Sequence, residues 1–368
     1  MANGQAIRTD NVGSILRPPE LLDARAAHAS GQLALDALIA VEDQAILGVL
    51  ELQQSIGMDV VTDGEYRRDS WLTGIQDAVE GFVSQNRLAE WKGPGGGLKQ
   101  VSGRVVGATL NQTKRLYAHE AGFLAAHTKL PWKITTPSAT QFAGTSYMEG
   151  ITTPYYPTRA DLLDELTRII GDELRALVAD GVRYIQIDAP SYVGYADPRQ
   201  RERRLQAGED LDASLARDIA ADNATLAGFS RDNVVVAAHL CRGNSRSRWI
   251  SEGGYDPIAE RLFSELDADR FLLEYDSERA GGFEPLRFLP AGKTAVLGLV
   301  TTKEGALETK NDLLKRIDEA SKYAPVEQLA ISPQCGFATV SAGNLLSHDD
   351  QRRKLELIVD VAHTVWKY

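Results

Sequence analysis

The chain has 368 residues, of which 43% are hydrophobic and 25% are charged, and its formal net charge is -11. These proportions are those of an ordinary globular protein, and the acidic charge is unfavourable for binding a nucleic-acid backbone. No apolar run approaches the roughly 20 residues that span a bilayer, and the N-terminus lacks the apolar core of a signal peptide. We therefore expect a cytoplasmic protein with no nucleic-acid or membrane partner, in which the two cysteines stay reduced rather than paired in a disulfide.

Short apolar runs alternate with amphipathic stretches along most of the chain. Eight runs are strand candidates, at residues 11–15, 58–63, 132–137, 184–188, 234–240, 270–275, 295–300 and 329–332. Most are apolar on both faces, as parallel strands covered by helices are. Helical periodicity separates most of them, at residues 35–56, 161–179, 211–226, 257–266, 307–323 and 349–366. This pattern predicts an α/β fold, a single (β/α)8 TIM barrel domain over residues 1–368, with a doubly wound open sheet as the alternative.

Two stretches interrupt the alternation. Residues 82–130 are too long for an ordinary connection, and they contain a glycine-rich turn at 92–97 followed by an alternating segment at 98–106. We interpret this region as an inserted hairpin or arm that either covers the site or contacts another subunit of a homo-oligomer. The second interruption, residues 192–208, is a charged loop with four arginines.

Polar side chains recur where the predicted strands end, which is the rim where barrel enzymes place their catalytic groups. They are Ser14 with the adjacent Gly13, Asp63, Glu65, Asp188, His239, Cys241, Glu274, Lys303 and Cys335. Several carboxylates at one rim are costly to bury without a partner, so they indicate a charged ligand or a metal.

The two cysteines and one histidine suit a metal. His239 and Cys241 are two residues apart at a strand end, so both side chains can point to one centre, and Cys335 ends another apolar run. With Glu274 they form a set that zinc accepts. Each residue alone has a simpler interpretation: a cysteine is often a small buried hydrophobe, and Asp276 and Glu278 compete with Glu274.

A series of motifs runs in order along nearly the whole chain: Gly13-Ser14 with Arg17-Pro18, residues 63–67 (DGEYR), residues 186–190 (QIDAP), His239-x-Cys241, Leu273-Glu274 and residues 332–336 (SPQCG). This series resembles the catalytic domain of cobalamin-independent methionine synthase. The resemblance implies a zinc-bearing (β/α)8 barrel that moves a methyl group from methyltetrahydrofolate to homocysteine. It also implies His239, Cys241, Glu274 and Cys335 as zinc ligands.

The same resemblance assigns the substrate side. Glu65 and Asp188 match the acidic residues that hold the amino group of homocysteine, and we predict both as catalytic residues. The Val12-Gly13-Ser14 turn matches the segment that meets its carboxylate. The family's proton-donating histidine and folate-stacking tryptophan are missing at 299–304 and 136–142. The methyl donor is therefore left open.

Three alternatives remain at this stage. A short subgroup of the family, which includes epoxyalkane:coenzyme M transferases, alkylates other thiols, and Lys303 with the arginines after the fourth strand could hold a sulfonate. A structural zinc and a metal-free, decarboxylase-like relative acting on a tetrapyrrole are the other two.

Overall fold

The computed structural model describes residues 7–367. This part of the chain contains eight strands: β1 (Val79–Trp91), β2 (Gly97–Gln112), β3 (Ile134–Pro137), β4 (Tyr184–Asp188), β5 (Val235–Leu240), β6 (Arg270–Glu274), β7 (Thr294–Val300) and β8 (Leu329–Pro333). Strands β3 to β8 form one parallel sheet in chain order, and β1 and β2 form a separate antiparallel hairpin. All six parallel strands coincide with predicted ones to within two residues at either end.

The first two predicted strands do not form as regular strands. Single parallel bridges occupy their places: Thr9 pairs with Ile331 of β8, and Val61 pairs with Trp132 just before β3. The two segments are joined to each other by the backbone bond from Ile15 N to Gly64 O (3.2 Å). The eight positions thus close into the predicted barrel, but the prediction of regular strands at 11–15 and 58–63 is wrong.

Side chains explain the missing ladder between these two segments. The Asp59 carboxylate accepts the backbone N–H groups of Arg8 (2.7 Å) and Thr9 (2.8 Å). The Gln53 amide takes both the N–H of Thr62 (3.0 Å) and its carbonyl (2.8 Å). Because backbone groups need partners but not a particular partner, these side chains can replace inter-strand bonds.

Helices cover the outside of the barrel, and each of the six predicted periodic segments forms a helix within three residues of its predicted bounds. The helices are α1 (Pro19–Ala29), α2 (Leu35–Ile56), α3 (Thr73–Gln76), α4 (Ala118–His127), α5 (Ala139–Ser146), α6 (Arg159–Ala179), α7 (Pro198–Gln206), α8 (Leu211–Thr225), α9 (Asp256–Glu265), α10 (Lys310–Ala320) and α11 (His348–Trp366). The prediction of a charged loop at residues 192–208 is wrong, because Asp197 caps a helix there that runs over Pro198–Gln206. Helix α6 shows why the boundaries fall where they do: Thr158 and Asp161 form a capping box before its apolar stripe.

The inserted arm is the β1–β2 hairpin followed by α4. The strands pair from Val79 opposite Gln112 to Trp91 opposite Gly97, and the glycine-rich segment makes the turn. The predicted hairpin is confirmed, although it begins a few residues earlier than predicted.

The barrel interior contains an apolar layer, and polar residues lie at the carboxyl ends of the strands. Hydrophobic side chains from successive barrel positions, including Tyr184, Ala237, Leu272, Val296 and Ala330, form a separate buried cluster. Strand side chains alternate, so residues two positions further along face the same interior. This alternation brings polar residues to the carboxyl end of the barrel.

Candidate active site

A cavity of about 660 Å³ lies at the carboxyl ends of the barrel strands. Seven predicted site residues line it: Val12, Ser14, Glu65, Asp188, His239, Cys241 and Cys335. A larger groove of about 870 Å³ beside α2 and α11 is lined by none of the predicted residues. The strand-end cavity is therefore the candidate active site.

His239, Cys241 and Cys335 converge at the wall of this cavity. One ligand atom from each lies within 4.8 Å of the others, and all three residues are buried. The two sulfur atoms are 3.3 Å apart, and both cysteines are free thiols. β5 ends at Leu240 and β8 at Pro333, so parallel strand ends bring together residues 94 positions apart in the chain.

The state of these three side chains fits a metal. His239 Nδ1 lies 3.2 Å from the carbonyl of Leu272, whereas its buried Nε2 has no hydrogen-bond partner within residues 7–367. A proton on Nδ1 leaves the Nε2 lone pair free, which is how ligating histidines are commonly oriented. The neighbouring Cys335 thiol, together with burial, raises the pKa of Cys241 well above its ordinary value. A soft cation would relieve both features, since it binds imidazole nitrogen and stabilises thiolates.

Glu274 is held beside this trio by hydrogen bonds and is not one of the three clustered ligands. Its fully buried carboxylate accepts the side-chain amide of Gln334 (2.6 Å) and the backbone N–H of Arg242. Thr302 donates its N–H (3.2 Å) and its hydroxyl (2.9 Å) to the Gln334 oxygen, so the Gln334 nitrogen faces Glu274. Sequence reasoning missed the part played by Gln334, although it directly precedes Cys335.

Glu65 and Asp188 present two buried carboxylates to the cavity. Glu65 has a φ of +58°, and one of its oxygens accepts the Thr135 hydroxyl (2.8 Å) while the other has no partner in the described chain. Asp188 accepts the amide of Gln186 (2.7 Å). Burial raises the pKa of Asp188 to about 6, and the nearby Glu65 charge acts in the same direction. The pair is suited to a cation, because a positive charge would offset both desolvation and repulsion.

The Val12-Gly13-Ser14 turn packs directly against Glu65. Gly13 has a φ of +150°, and a Cβ atom added there would lie 2.6 Å from the Glu65 carboxylate. On its other side, a Cβ on Gly336 would lie 2.0 Å from the Ser14 hydroxyl. Glycine at both positions therefore lets the turn fit between Glu65 and the segment that carries Cys335.

Lys303 does not line the cavity. Its ammonium donates to the carbonyl of Gly243 (3.1 Å) and to the side-chain oxygen of Asn244 (3.1 Å), on the loop that follows Cys241. The arginines of residues 199–204 do not line the cavity either, although Gln200 does. The positive charges that we considered for a sulfonate thus lie outside the cavity wall in this structure.

The hairpin forms part of the cavity wall. Trp91, Val101 and Ser102 line the cavity, as does Trp71 from the segment before the hairpin. The hairpin tip is fixed to the β5–α9 loop, because Lys92 and Trp249 exchange backbone bonds of 2.8 and 3.1 Å and the Lys92 ammonium lies 2.7 Å from the Glu252 carboxylate. Of the two roles left open for the arm, covering the site is the one that these contacts favour. No pattern in the sequence indicates that Trp71 and Trp91 reach the site.

The comparisons with known proteins agree with this barrel and its site. The family model of the cobalamin-independent synthase catalytic domain matches residues 7–364, so the chain belongs to that family. The uncharacterized protein YxjH of Bacillus subtilis strain 168 is 34% identical over 381 residues, which covers 98% of this chain and 95% of that protein. A methionine synthase of Saccharolobus solfataricus is 24% identical over 334 residues, covering 90% of this chain and 89% of that protein.

Solved structures show the same architecture. The putative vitamin-B12 independent methionine synthase of Listeria monocytogenes superposes with a TM-score of 0.75 at 26% identity, covering 98% of this chain and 99% of that one. A B12-independent methionine synthase from Shewanella sp. W3-18-1, solved with selenomethionine, gives the same TM-score at 21% identity, covering 99% and 98%. No helix within residues 7–367 is long and apolar enough to cross a membrane.

Proposed function

We propose that the protein is a zinc-dependent thiol S-methyltransferase that methylates homocysteine to form methionine. The observation that carries this proposal is the meeting of His239, Cys241 and Cys335 on a cavity that also exposes Glu65 and Asp188. The first group suits a metal that activates a thiol, and the second suits the ammonium of an amino acid.

His239 Nε2 and the sulfurs of Cys241 and Cys335 would hold the zinc ion, with Glu274 as the proposed fourth ligand. Bound there, zinc would act as a Lewis acid that lowers the pKa of an incoming thiol, so that it is a thiolate at neutral pH. Gly243 N–H donates to the Cys241 sulfur (3.2 Å) and so favours its thiolate form.

Glu65 and Asp188 would pair with the ammonium of homocysteine. Charge-assisted hydrogen bonds of this kind are each worth about 1.5–3 kcal/mol. The Val12-Gly13-Ser14 turn would bind the carboxylate end, since it packs against Glu65 and carries the Ser14 hydroxyl to the cavity wall. Lys303 would act indirectly, by fixing the loop after Cys241.

The charge of the cavity favours homocysteine over a sulfonate thiol such as coenzyme M. Among residues 7–367, two carboxylates and a single arginine, Arg242, line the cavity. The Arg242 guanidinium already donates to the Tyr255 hydroxyl (2.8 Å) and to the Gly253 carbonyl (2.6 Å). An anionic sulfonate would meet net negative charge there, whereas an ammonium would be stabilised.

The methyl donor, methyltetrahydrofolate or a similar carrier, would bind beside the part of the cavity wall that the hairpin forms. The thiolate sulfur of homocysteine attacks the methyl carbon as the donor's bond to that carbon breaks. If the donor is a folate, its amine leaves as a poor leaving group and must gain a proton. Trp71 and Trp91 offer flat apolar surfaces to a large donor.

The test is an assay of purified, zinc-loaded protein with homocysteine and, separately, methyltetrahydrofolate or methylcobalamin, with methionine as the measured product. We expect methionine with at least one donor, and an increase of tenfold or more in the homocysteine KM for Glu65→Gln. Glu278→Gln is the matched control, because Glu278 is exposed and lies outside the cavity. No methionine with either donor would refute the proposal.

We further propose that residues 1–368 act as one domain in the cytoplasm, without a nucleic-acid or membrane partner. The net charge of -11 and the two free thiols support this.

A further inference from the structure

A buried lysine lies at the centre of the barrel, beneath the candidate site. Lys133 directly precedes β3, and its side chain is completely buried. Its ammonium contacts the Asp10 carboxylate (2.5 Å), the carbonyl of Asn11 (2.5 Å) and the side-chain oxygen of Gln186 (2.6 Å). Lys133 lies outside all the motifs that the chain shares with the methionine synthase family.

The ammonium determines which way the Gln186 amide points. An ammonium only donates hydrogen bonds, so it must meet the oxygen of that amide and not its nitrogen. The nitrogen is thereby directed to the other side, where it donates to the Val12 carbonyl (2.6 Å) and to the Asp188 carboxylate (2.7 Å). Without Lys133, the amide could rotate and present its oxygen to Asp188, which would repel it.

These bonds join the two halves of the proposed homocysteine site. The turn at residues 12–14 would hold the carboxylate end of the substrate, and Asp188 would hold its ammonium. We propose that Lys133 and Gln186 are positioning residues that fix these two groups relative to each other before the substrate binds. This inference rests on the proposed function, since it concerns the same substrate.

The carboxylate of Asp10 holds the Lys133 ammonium in place, because the two groups carry opposite charges. Asp10 also accepts the Tyr184 hydroxyl (2.6 Å) and lies 3.7 Å from the Arg270 guanidinium. Removal of Lys133 alone would leave Asp10 short of a buried partner, which is strongly destabilising. The first test variant is therefore Gln186→Met, which keeps the side-chain length and leaves the Lys133–Asp10 pair intact.

The experiment compares homocysteine with its analogue that lacks the amino group, 4-sulfanylbutanoate, in the zinc-loaded full chain. In Gln186→Met we expect the preference for homocysteine over the analogue, measured as the ratio of kcat/KM values, to fall about tenfold or more. Most of the change should be in the homocysteine KM, with zinc content unchanged. Loss of a hydrogen bond to a charged group has this size.

Two further variants make the result decisive. Asp10→Asn combined with Lys133→Met removes both charges, and it should lower the same preference if the variant at Gln186 does not fold. Lys354→Met is the matched control, because Lys354 is another fully buried lysine that pairs with Glu308 (2.9 Å) on the outside of the barrel. We expect the preference of Lys354→Met to equal that of the parent.

The outcomes separate this inference from the proposed function. If the parent methylates homocysteine but the folded variants keep its full preference, the positioning role is refuted and the function stands. An equal loss with both thiols would also refute it, because that pattern indicates general damage. If the parent does not use homocysteine, the proposed function fails and this inference fails with it.

Discussion

Replacement of Gly13 by alanine tests the close packing of the turn against Glu65. Gly13 has a φ of +150°, and its added Cβ would lie 2.6 Å from a Glu65 carboxylate oxygen and 3.2 Å from the Thr135 methyl group. The unfavourable φ costs on the order of 1–3 kcal/mol in the free energy of unfolding. The contact adds less to this cost, because the Glu65 carboxylate is the end of a flexible side chain and can move.

Movement of the Glu65 carboxylate should affect the binding of homocysteine more than it affects the free energy of unfolding. A carbon–oxygen contact of 2.6 Å must open by roughly half an ångström to become acceptable, which disturbs the 2.8 Å bond from Thr135 that orients Glu65. We therefore expect the homocysteine KM of Gly13→Ala to rise about tenfold, the size of one weakened charge-assisted bond.

Gly181→Ala is the matched control. Gly181 also has a positive φ, +104°, but nothing lies within 4 Å of its added Cβ, and it follows α6 away from the site. Urea unfolding should show losses of about 1–3 kcal/mol for both variants, whereas only Gly13→Ala should raise the KM. Equal KM values for the two variants would refute our reasoning about Glu65.

Three other predictions follow from separate parts of the structure. Cys335→Ser should lower the zinc content from about one ion per chain to well below one, because one of the three converging ligands changes from sulfur to a neutral hydroxyl. Metal analysis measures this content, and a full zinc content in the variant would contradict the role of Cys335 as a ligand. Lys92→Glu and Glu252→Lys should each raise the KM for the methyl donor a few-fold, because each separates the hairpin tip from the β5–α9 loop. The double variant restores the ion pair and should recover the parent KM. A double variant that does not recover it would argue against this contact. Burial raises the pKa of Asp63 to about 7. The free energy of unfolding should therefore fall as the pH rises from about 4 to 7, by at most about 1.4 kcal/mol per pH unit for this group. Asp63→Asn should flatten this pH dependence in urea titrations, and an unchanged slope would exclude Asp63 as its source.

The barrel could be predicted because its strands are buried on both faces. Six apolar runs became β3 to β8 almost as expected, since burial and strand length leave few alternatives for such runs. The first two runs, residues 11–15 (NVGSI) and 58–63 (MDVVTD), contain more polar residues and did not form ladders. There the side chains of Gln53 and Asp59 take the backbone bonds, and no local pattern reveals which side chain will do so.

In the candidate metal site, too, some contacts could be predicted from the local sequence and others could not. His239 lies on β5 and Cys241 directly follows the end of that strand, and their spacing of two residues allowed their proximity to be predicted locally. The hydrogen bond from Gln334 to Glu274 joins residues 60 positions apart, so it depends on how β6 and β8 pack across the barrel. The same holds for the hairpin tryptophan Trp91, which reaches the site only because the hairpin tip binds the β5–α9 loop.

In the proposed mechanism, three residues that are distant in the sequence hold one zinc ion, and this ion binds the thiol of the substrate. Zinc-edge X-ray absorption of the purified protein, recorded with and without homocysteine, tests it most directly. We predict two sulfur neighbours for zinc in the free protein and a third after homocysteine is added. A protein that holds no zinc, or a sulfur count that homocysteine leaves unchanged, would contradict the account.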